Sequence, residues 1–165
     1  METYHAPSLA RLGVSARFVQ ENQSVSKKGV LRGLHLQRRH PQGKLVRVLA
    51  GEVFDVAVDL RRASPTYGAW YGIILSAENR RQLYLPPGFA HGFLSLREGT
   101  TLLYCCTEVY HPEDEEGVLW CDGDLAIRWP GVCRRDGEHV LCDGTPLLLS
   151  EKDRTAKPFS ETLPL

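Results

Sequence analysis

Leu45-Val46-Arg47-Val48-Leu49-Ala50-Gly51-Glu52-Val53-Phe54-Asp55-Val56-Ala57-Val58-Asp59-Leu60 is the stretch that decides the fold. Residues 45–50 form a short apolar run that stops at Gly51, and residues 52–60 then alternate with a period of two. Phe54, Val56, Val58 and Leu60 fall on one face of a strand, and Val53, Asp55, Ala57 and Asp59 on the other. Working outward, similar runs cover 70–75, 82–85, 92–96 and 101–109, separated by Pro65, Gly68, Pro86, Pro87, Gly88 and Gly99. Many short strands at this spacing predict an all-β fold, an antiparallel sandwich or barrel. Short helical segments are expected at 76–79 and 150–154. Residues 130–145, with Gly131, Gly137 and Gly144 among charged residues, read as a hairpin excursion or a mobile loop.

A chain of 165 residues is the length of one domain, and neither an internal repeat nor a low-complexity linker divides it. Its 20 basic and 20 acidic residues cancel, which argues against nucleic acid or an acidic membrane surface as partner. The signs are unevenly spread. Lys27, Lys28, Arg32, Arg38, Arg39, Lys44 and Arg47 cluster in one stretch, and Glu113, Asp114, Glu115 and Glu116 form an acidic run. Both are expected to be mostly solvated faces, with a few cations able to serve an anionic small molecule. Residues 1–10 do not have the form of a signal peptide, and no stretch approaches the length of a membrane span. Five cysteines without a C-x-x-C pair read as reduced thiols in a cytoplasmic protein.

Three segments could carry chemistry. In Val30-Leu31-Arg32-Gly33-Leu34-His35-Leu36-Gln37 a regular strand places Leu31, Gly33, His35 and Gln37 on one face, with Gly33 leaving room beside the imidazole. This segment alone leaves two readings, a core histidine satisfied by hydrogen bonds or one available to a ligand. The second segment, Pro86-Pro87-Gly88-Phe89-Ala90-His91, is the P-x-G-x-x-H pattern of cupin barrels, whose histidine often binds metal. The companion H-x-H pair is lacking, because the matching stretch reads His35-Leu36-Gln37, so a divalent metal site is not expected. His91 is instead expected to bond a substrate or a neighbouring carboxylate. The third segment, residues 102–110, carries Tyr104 and Tyr110, which a regular strand would turn to the same side. A phenol there can donate a proton or stack on a base or sugar, or both rings can simply pack.

Taken together, these segments resemble the dTDP-4-dehydrorhamnose 3,5-epimerase family. The likeness runs through FVQENQSVSKKGVLRGLHLQ, QGKLVRVLAGEVFDVAVDLRRASPTYGAWYGIILSAENRRQLYLPPGFAHGF and LLYCCTEVYHPEDEEGVLWCDGDLAIRWP, from Phe18 to Pro130, about two thirds of the chain. It implies a cupin-like jelly-roll barrel of antiparallel strands, a homodimer, and no metal or organic cofactor. It also implies roles. His35 matches the general base, Asp153 its paired acid, Tyr104 the general acid on the other face of the sugar, and Lys44 the cation at the developing oxyanion. Arg32, Gln20 and Asn22 match positions around the nucleotide diphosphate and base. His91 and Asp55 are expected to line the same pocket, and Tyr110 to lie near nucleotide or sugar. The implied partner is a dTDP-linked 4-keto-6-deoxy sugar, epimerised at C3 and C5. The rivals are a single-carbon epimerase of a related sugar nucleotide, a barrel that only binds one, and a metal-dependent cupin enzyme. Residues 1–17 hold no counterpart of the family's acidic-x-Arg-Gly-x-Phe-x-Glu-like arm, so a shortened arm is expected. Asn22-Gln23-Ser24 stands where Asn-His-Ser is common, and the stretch between Pro130 and Ser150 reads as longer than usual.

Overall fold

A computed structural model describes residues 1–162 and 165. In chain order the elements are α1 (Ala6–Arg11), β1 (Gln20–Ser26), β2 (Leu31–Gln37), β3 (Lys44–Ala50), β4 (Glu52–Asp59), β5 (Trp70–Ser76), β6 (Gln82–Leu85), β7 (Phe89–Ser95), β8 (Thr100–Cys106), β9 (Glu115–Gly117), β10 (Val132–Arg135), β11 (Glu138–Leu141) and α2 (Glu151–Arg154). A four-stranded sheet ordered β1-β8-β3-β6 faces a five-stranded sheet ordered β5-β4-β7-β2-β9. Every pairing between named strands is antiparallel. The result is an antiparallel barrel, as the strand pattern predicts, of the jelly-roll form that the resemblance implies.

The alternation of β4 explains why it sits where it does. Val53 and Ala57 point between the two sheets, where they meet Val46, Val48, Leu75, Leu85, Phe93 and Leu102. Phe54, Val56 and Val58, followed by Leu60, point outward into a second core with Leu31, Leu34 and Leu36. Trp120, Leu125, Trp129, Leu141 and Leu147 from the C-terminal third close over that core. Val53, Val56 and Val58 are fully buried, and each contributes about 1.5–3 kcal/mol relative to exposure. A one-residue slip of β4 would exchange the contents of both cores and drive Asp55 and Asp59 into the apolar one.

Several boundaries differ from the sequence expectation. The strand read over 101–109 ends at Cys106, and the one read from 92 begins at Phe89. Residues 76–79 make a single turn rather than a helix, closed by Arg80 N–H to Ser76 O at 3.0 Å and by reciprocal Ser76–Asn79 side-chain bonds. Residues 130–145 contain the hairpin β10–β11, whose Asp136-Gly137 turn takes positive φ at both positions (51° and 87°). None of the α1 residues is buried, so it carries no apolar stripe to read.

Candidate active site

The space between the sheets is apolar at one end and polar at the other. On the four-stranded sheet, register aligns Gln20, Cys106 and Lys44 in one row and Asn22, Tyr104 and Val46 in another. On the five-stranded sheet His35 and His91 are cross-strand partners, as are Arg32 and Phe93. The polar end forms a cavity of about 280 Å³, near the lower bound of small-ligand sites. Gln20, Asn22, Arg32, His35, Lys44, His91, Tyr104 and Tyr110 all line it.

The bulge in β2 is what makes this possible. Between Arg32 and His35, β2 uses one more residue than β7 does between Phe93 and His91. Arg32 and His35 therefore both face the cavity, while Leu31 and Leu34 both enter the outer core. This corrects the expectation that His35 shares a face with Leu31 and Gly33, which holds only for an unbroken strand. The bulge depends on a close approach. A Cβ on Gly33, whose φ is +115°, would stand 2.5 Å from Gly92 Cα and 2.7 Å from His91 O.

His35 is held by a carboxylate from far along the chain. Its Nε2 lies 2.5 Å from Asp153 Oδ1, which also accepts the Gly33 N–H at 3.3 Å. Ser150 caps α2 by accepting the Asp153 N–H, and its hydroxyl donates to Asp153 Oδ2 at 2.7 Å. Ser150-Glu151-Lys152-Asp153 is thus a reciprocal cap whose acidic member also serves the histidine. Burial pushes the Asp153 carboxyl up, but the hydrogen bonds from His35 and Ser150 outweigh it and hold the group below the ordinary range. With Nε2–H donated to an ionised carboxylate, the neutral ring presents its lone pair at Nδ1.

His91 is paired in a different way. Its Nε2 lies 2.9 and 3.0 Å from the two oxygens of Asp55, a fully buried residue of the neighbouring strand. Asp55 was expected to line the pocket. It sits behind His91 instead and reaches the cavity only through that ring. Asp153 is likewise set back behind His35, 3% exposed.

Tyr104 and Lys44 stand on the wall opposite His35. Burial pushes the Tyr104 phenol above its ordinary pKa, so it keeps its proton at neutral pH. Burial pushes the Lys44 ammonium the other way, opposed by nearby negative groups that include Glu115 and Asp55. The Lys44 ammonium makes no hydrogen bond or salt bridge among the described residues, which leaves its donors to a ligand. Tyr110 follows β8 rather than belonging to it. It reaches the pocket because its N–H donates to Gln20 Oε1 at 2.8 Å and its hydroxyl to Glu115 Oε2 at 3.0 Å.

Gln37 shows why the metal signature is broken here. Its Nε2 donates to the carbonyls of His40 and Val109, and its Oε1 accepts the His111 N–H, so the side chain ties β2 to the loop bearing Tyr110. Among the described residues no group of three His, Cys, Asp or Glu side chains is placed to hold a metal ion. All five cysteines are free thiols.

The acidic run is not the solvated face expected of it. Asp114 is buried and accepts the Arg39 and His40 N–H groups, and Glu116 pairs with Arg38. Glu115, which sequence reasoning missed, lines the cavity, lies 3.6 Å from His35 Nδ1 and forms an ion pair with Lys152. Lys152 was missed too. The usable signal was its place beside Asp153 in the capped turn.

Comparison with known proteins places this geometry. The sequence profile of the family described as dTDP-4-dehydrorhamnose 3,5-epimerase matches residues 1–161. A dTDP-4-dehydrorhamnose 3,5-epimerase of Methanothermobacter thermautotrophicus is 52% identical over 161 residues, covering 98% of this chain and 82% of that protein. The crystal structure of a dTDP-6-deoxy-D-glucose-3,5-epimerase from Legionella pneumophila, in complex with dTDP-4-keto-L-rhamnose, aligns with a TM-score of 0.87 at 50% identity. The alignment covers 97% of this chain and 79% of that one. ChmJ, a 3'-monoepimerase from Streptomyces bikiniensis solved with dTDP-quinovose, aligns with a TM-score of 0.82 at 33% identity over 96% and 75% of the two chains. A cupin-like jelly roll with an acid–base pocket between its sheets defines this protein as an isomerase of the sugar-epimerase class. The chain belongs to the dTDP-4-dehydrorhamnose 3,5-epimerase family.

Proposed function

We propose that the chain inverts C3 and C5 of dTDP-4-dehydro-6-deoxy-D-glucose, giving dTDP-4-dehydro-L-rhamnose. The observation that carries this reading is His35, its Nε2 fixed on Asp153, facing a cavity whose far wall holds Tyr104 and Lys44. The C4 ketone acidifies the hydrogens on C3 and C5, because the resulting carbanion delocalises onto oxygen. Nδ1 of His35 takes the proton, and Asp153 stabilises the imidazolium and fixes its orientation. Lys44 stabilises the enolate oxygen, an interaction strongest when the charge has developed. Tyr104 returns a proton from the opposite face, which is what inversion requires. Arg32, Gln20, Asn22 and Tyr110 bind the nucleotide diphosphate and base, and His91, backed by Asp55, contacts the sugar. The ketone supplies the electron sink, so the reaction calls for neither a metal nor an organic cofactor.

The test is proton NMR of the protein with this substrate in deuterated water. Deuterium entering at both C3 and C5, and at neither with His35→Ala, is the expected result. The likeness to a 3'-monoepimerase supports a second reading, inversion at one carbon, and exchange confined to C3 would select it. No exchange with folded protein would refute both. The same reading takes the chain as a cytoplasmic homodimer. The free cysteines support the compartment, and the exposed Val25 on the edge strand β1 offers apolar surface to a second copy. Light scattering at the mass of one chain would refute the dimer.

A further inference from the structure

We propose that Glu115 is the proton relay that resets His35 between the two inversions, passing its proton to solvent at the pocket mouth. The inference rests on the epimerase reading above and concerns a requirement that reading creates. After one inversion His35 holds the proton from carbon as imidazolium, and Tyr104 has become a phenolate. Neither can act again until the imidazolium has lost a proton and the phenolate has gained one. A single-carbon enzyme can reset after product leaves, but an enzyme that inverts two carbons in one residence must reset with the sugar in place.

The surroundings of His35 offer few exits. Nε2 is occupied by Asp153, which is 3% exposed and saturated by Ser150 and Gly33. That side of the ring leads into the protein. On the other side Glu115 Oε1 lies 3.6 Å from Nδ1, the nitrogen that takes the proton from carbon. A short rotation of the carboxylate closes that gap to hydrogen-bond length. Glu115 in turn is bonded to two groups at the rim, the Tyr110 hydroxyl at 3.0 Å and the Lys152 ammonium. Their side chains are about half exposed. His35 and Glu115, whose carboxylate Tyr110 and Lys152 hold at the rim, therefore form a graded path from the buried base to water.

The charge logic agrees with a relay rather than a second base. Burial pushes the Glu115 carboxyl up, but the bonds from Lys152 and Tyr110 and the nearby His35 outweigh it, so the group is ionised at rest. An anion beside Nδ1 attracts the imidazolium as it forms and then accepts its proton only transiently. The balance closes in five transfers. The C–H proton goes to Nδ1 while its electron pair enters the enolate, and the Tyr104 proton goes to the opposite face of that carbon. The Nδ1 proton then moves to Glu115 and on to water, and a water proton restores Tyr104.

Single-turnover NMR in deuterated water, with wild type and Glu115→Gln in excess over dTDP-4-dehydro-6-deoxy-D-glucose, tests the relay. In Glu115→Gln, exchange at the second carbon falls on the order of 10²-fold further than exchange at the first. The singly inverted sugar accumulates, and added imidazole buffer restores the second step by carrying the proton from outside. The relay is overturned if both carbons slow equally without response to buffer, if neither slows, or if weakened dTDP binding accounts for the whole loss. Wild type that exchanges at neither carbon refutes the epimerase reading itself, and the relay falls with it.

Discussion

The two histidine–aspartate pairs of this protein stand side by side and are built in opposite ways. His35 and His91 are direct cross-strand partners on the same sheet wall. Asp55 reaches His91 from the adjacent strand, 36 positions away, and shares both oxygens with one ring nitrogen. Asp153 reaches His35 from a capped turn 118 positions away and gives it one oxygen, the other being held by Ser150. The side chain of His35 is 21% exposed and that of His91 is 9%. One pair is wholly part of the sheet. The other is docked from outside, open at Nδ1, and flanked there by a second carboxylate. The contrast teaches that a buried His–Asp pair is not by itself an acid–base site; the free nitrogen and what faces it decide.

Substitutions can break this contrast. His35→Ala is expected to reduce deuterium exchange by roughly 10³-fold or more, the scale of a lost general base. His91→Ala is expected to raise KM by about tenfold with a smaller change in kcat, as for a binding contact. The same asymmetry carries to the carboxylates. Asp153→Asn is expected to lower kcat on the order of 10²-fold, because the amide no longer enforces the tautomer with Nδ1 free. Asp55→Asn is expected to act mainly on stability, costing about 1–3 kcal/mol in chemical denaturation, since it disturbs a fully buried polar bond. If the two Asn variants lose kcat equally, the distinction between the pairs is wrong.

Gly33→Ala probes the bulge that both pairs share. Its Cβ would collide with Gly92 and the His91 carbonyl at a φ of +115°, so a stability loss of about 3 kcal/mol is expected by denaturant melt. Gly99→Ala, at φ +67° with nothing within 4 Å, is the milder control. The smallest effect is in acid. The Asp153 carboxyl is held below its unfolded value, so its contribution is fully present above about pH 4 and is lost as pH falls through the folded value. Thermal melts from pH 6 to pH 3 should show a smaller acid loss in Asp153→Asn than in wild type.

What the sequence made legible follows from where period-two alternation survives. β4 is apolar on both faces around two buried carboxylates, and its faces were readable residue by residue. β1 was not, because its inward row is Gln20, Asn22, Ser24 and Ser26, polar where the barrel interior becomes a pocket. Simple alternation gave His35 the wrong company, since nothing local announces the bulge except Gly33 itself. Glu115 was hidden inside an acidic run, and its partner Lys152 lies 37 positions away. The roles of Asp153 and Lys44 came from resemblance, and around Asp153 only a short helical segment at 150–154 was legible. Long-range docking of this kind leaves no periodic trace.

The distance in sequence between His35 and Asp153 has a consequence during synthesis. Chains emerge from the ribosome N-terminus first, and every strand of both facing sheets except β9 precedes residue 107. The base and the phenol can take their places in pairing strands well before the capped turn has left the exit tunnel. A nascent barrel therefore carries a histidine with no carboxylate to set its tautomer. Docking of α2 after the strands have paired then supplies the carboxylate that sets the tautomer.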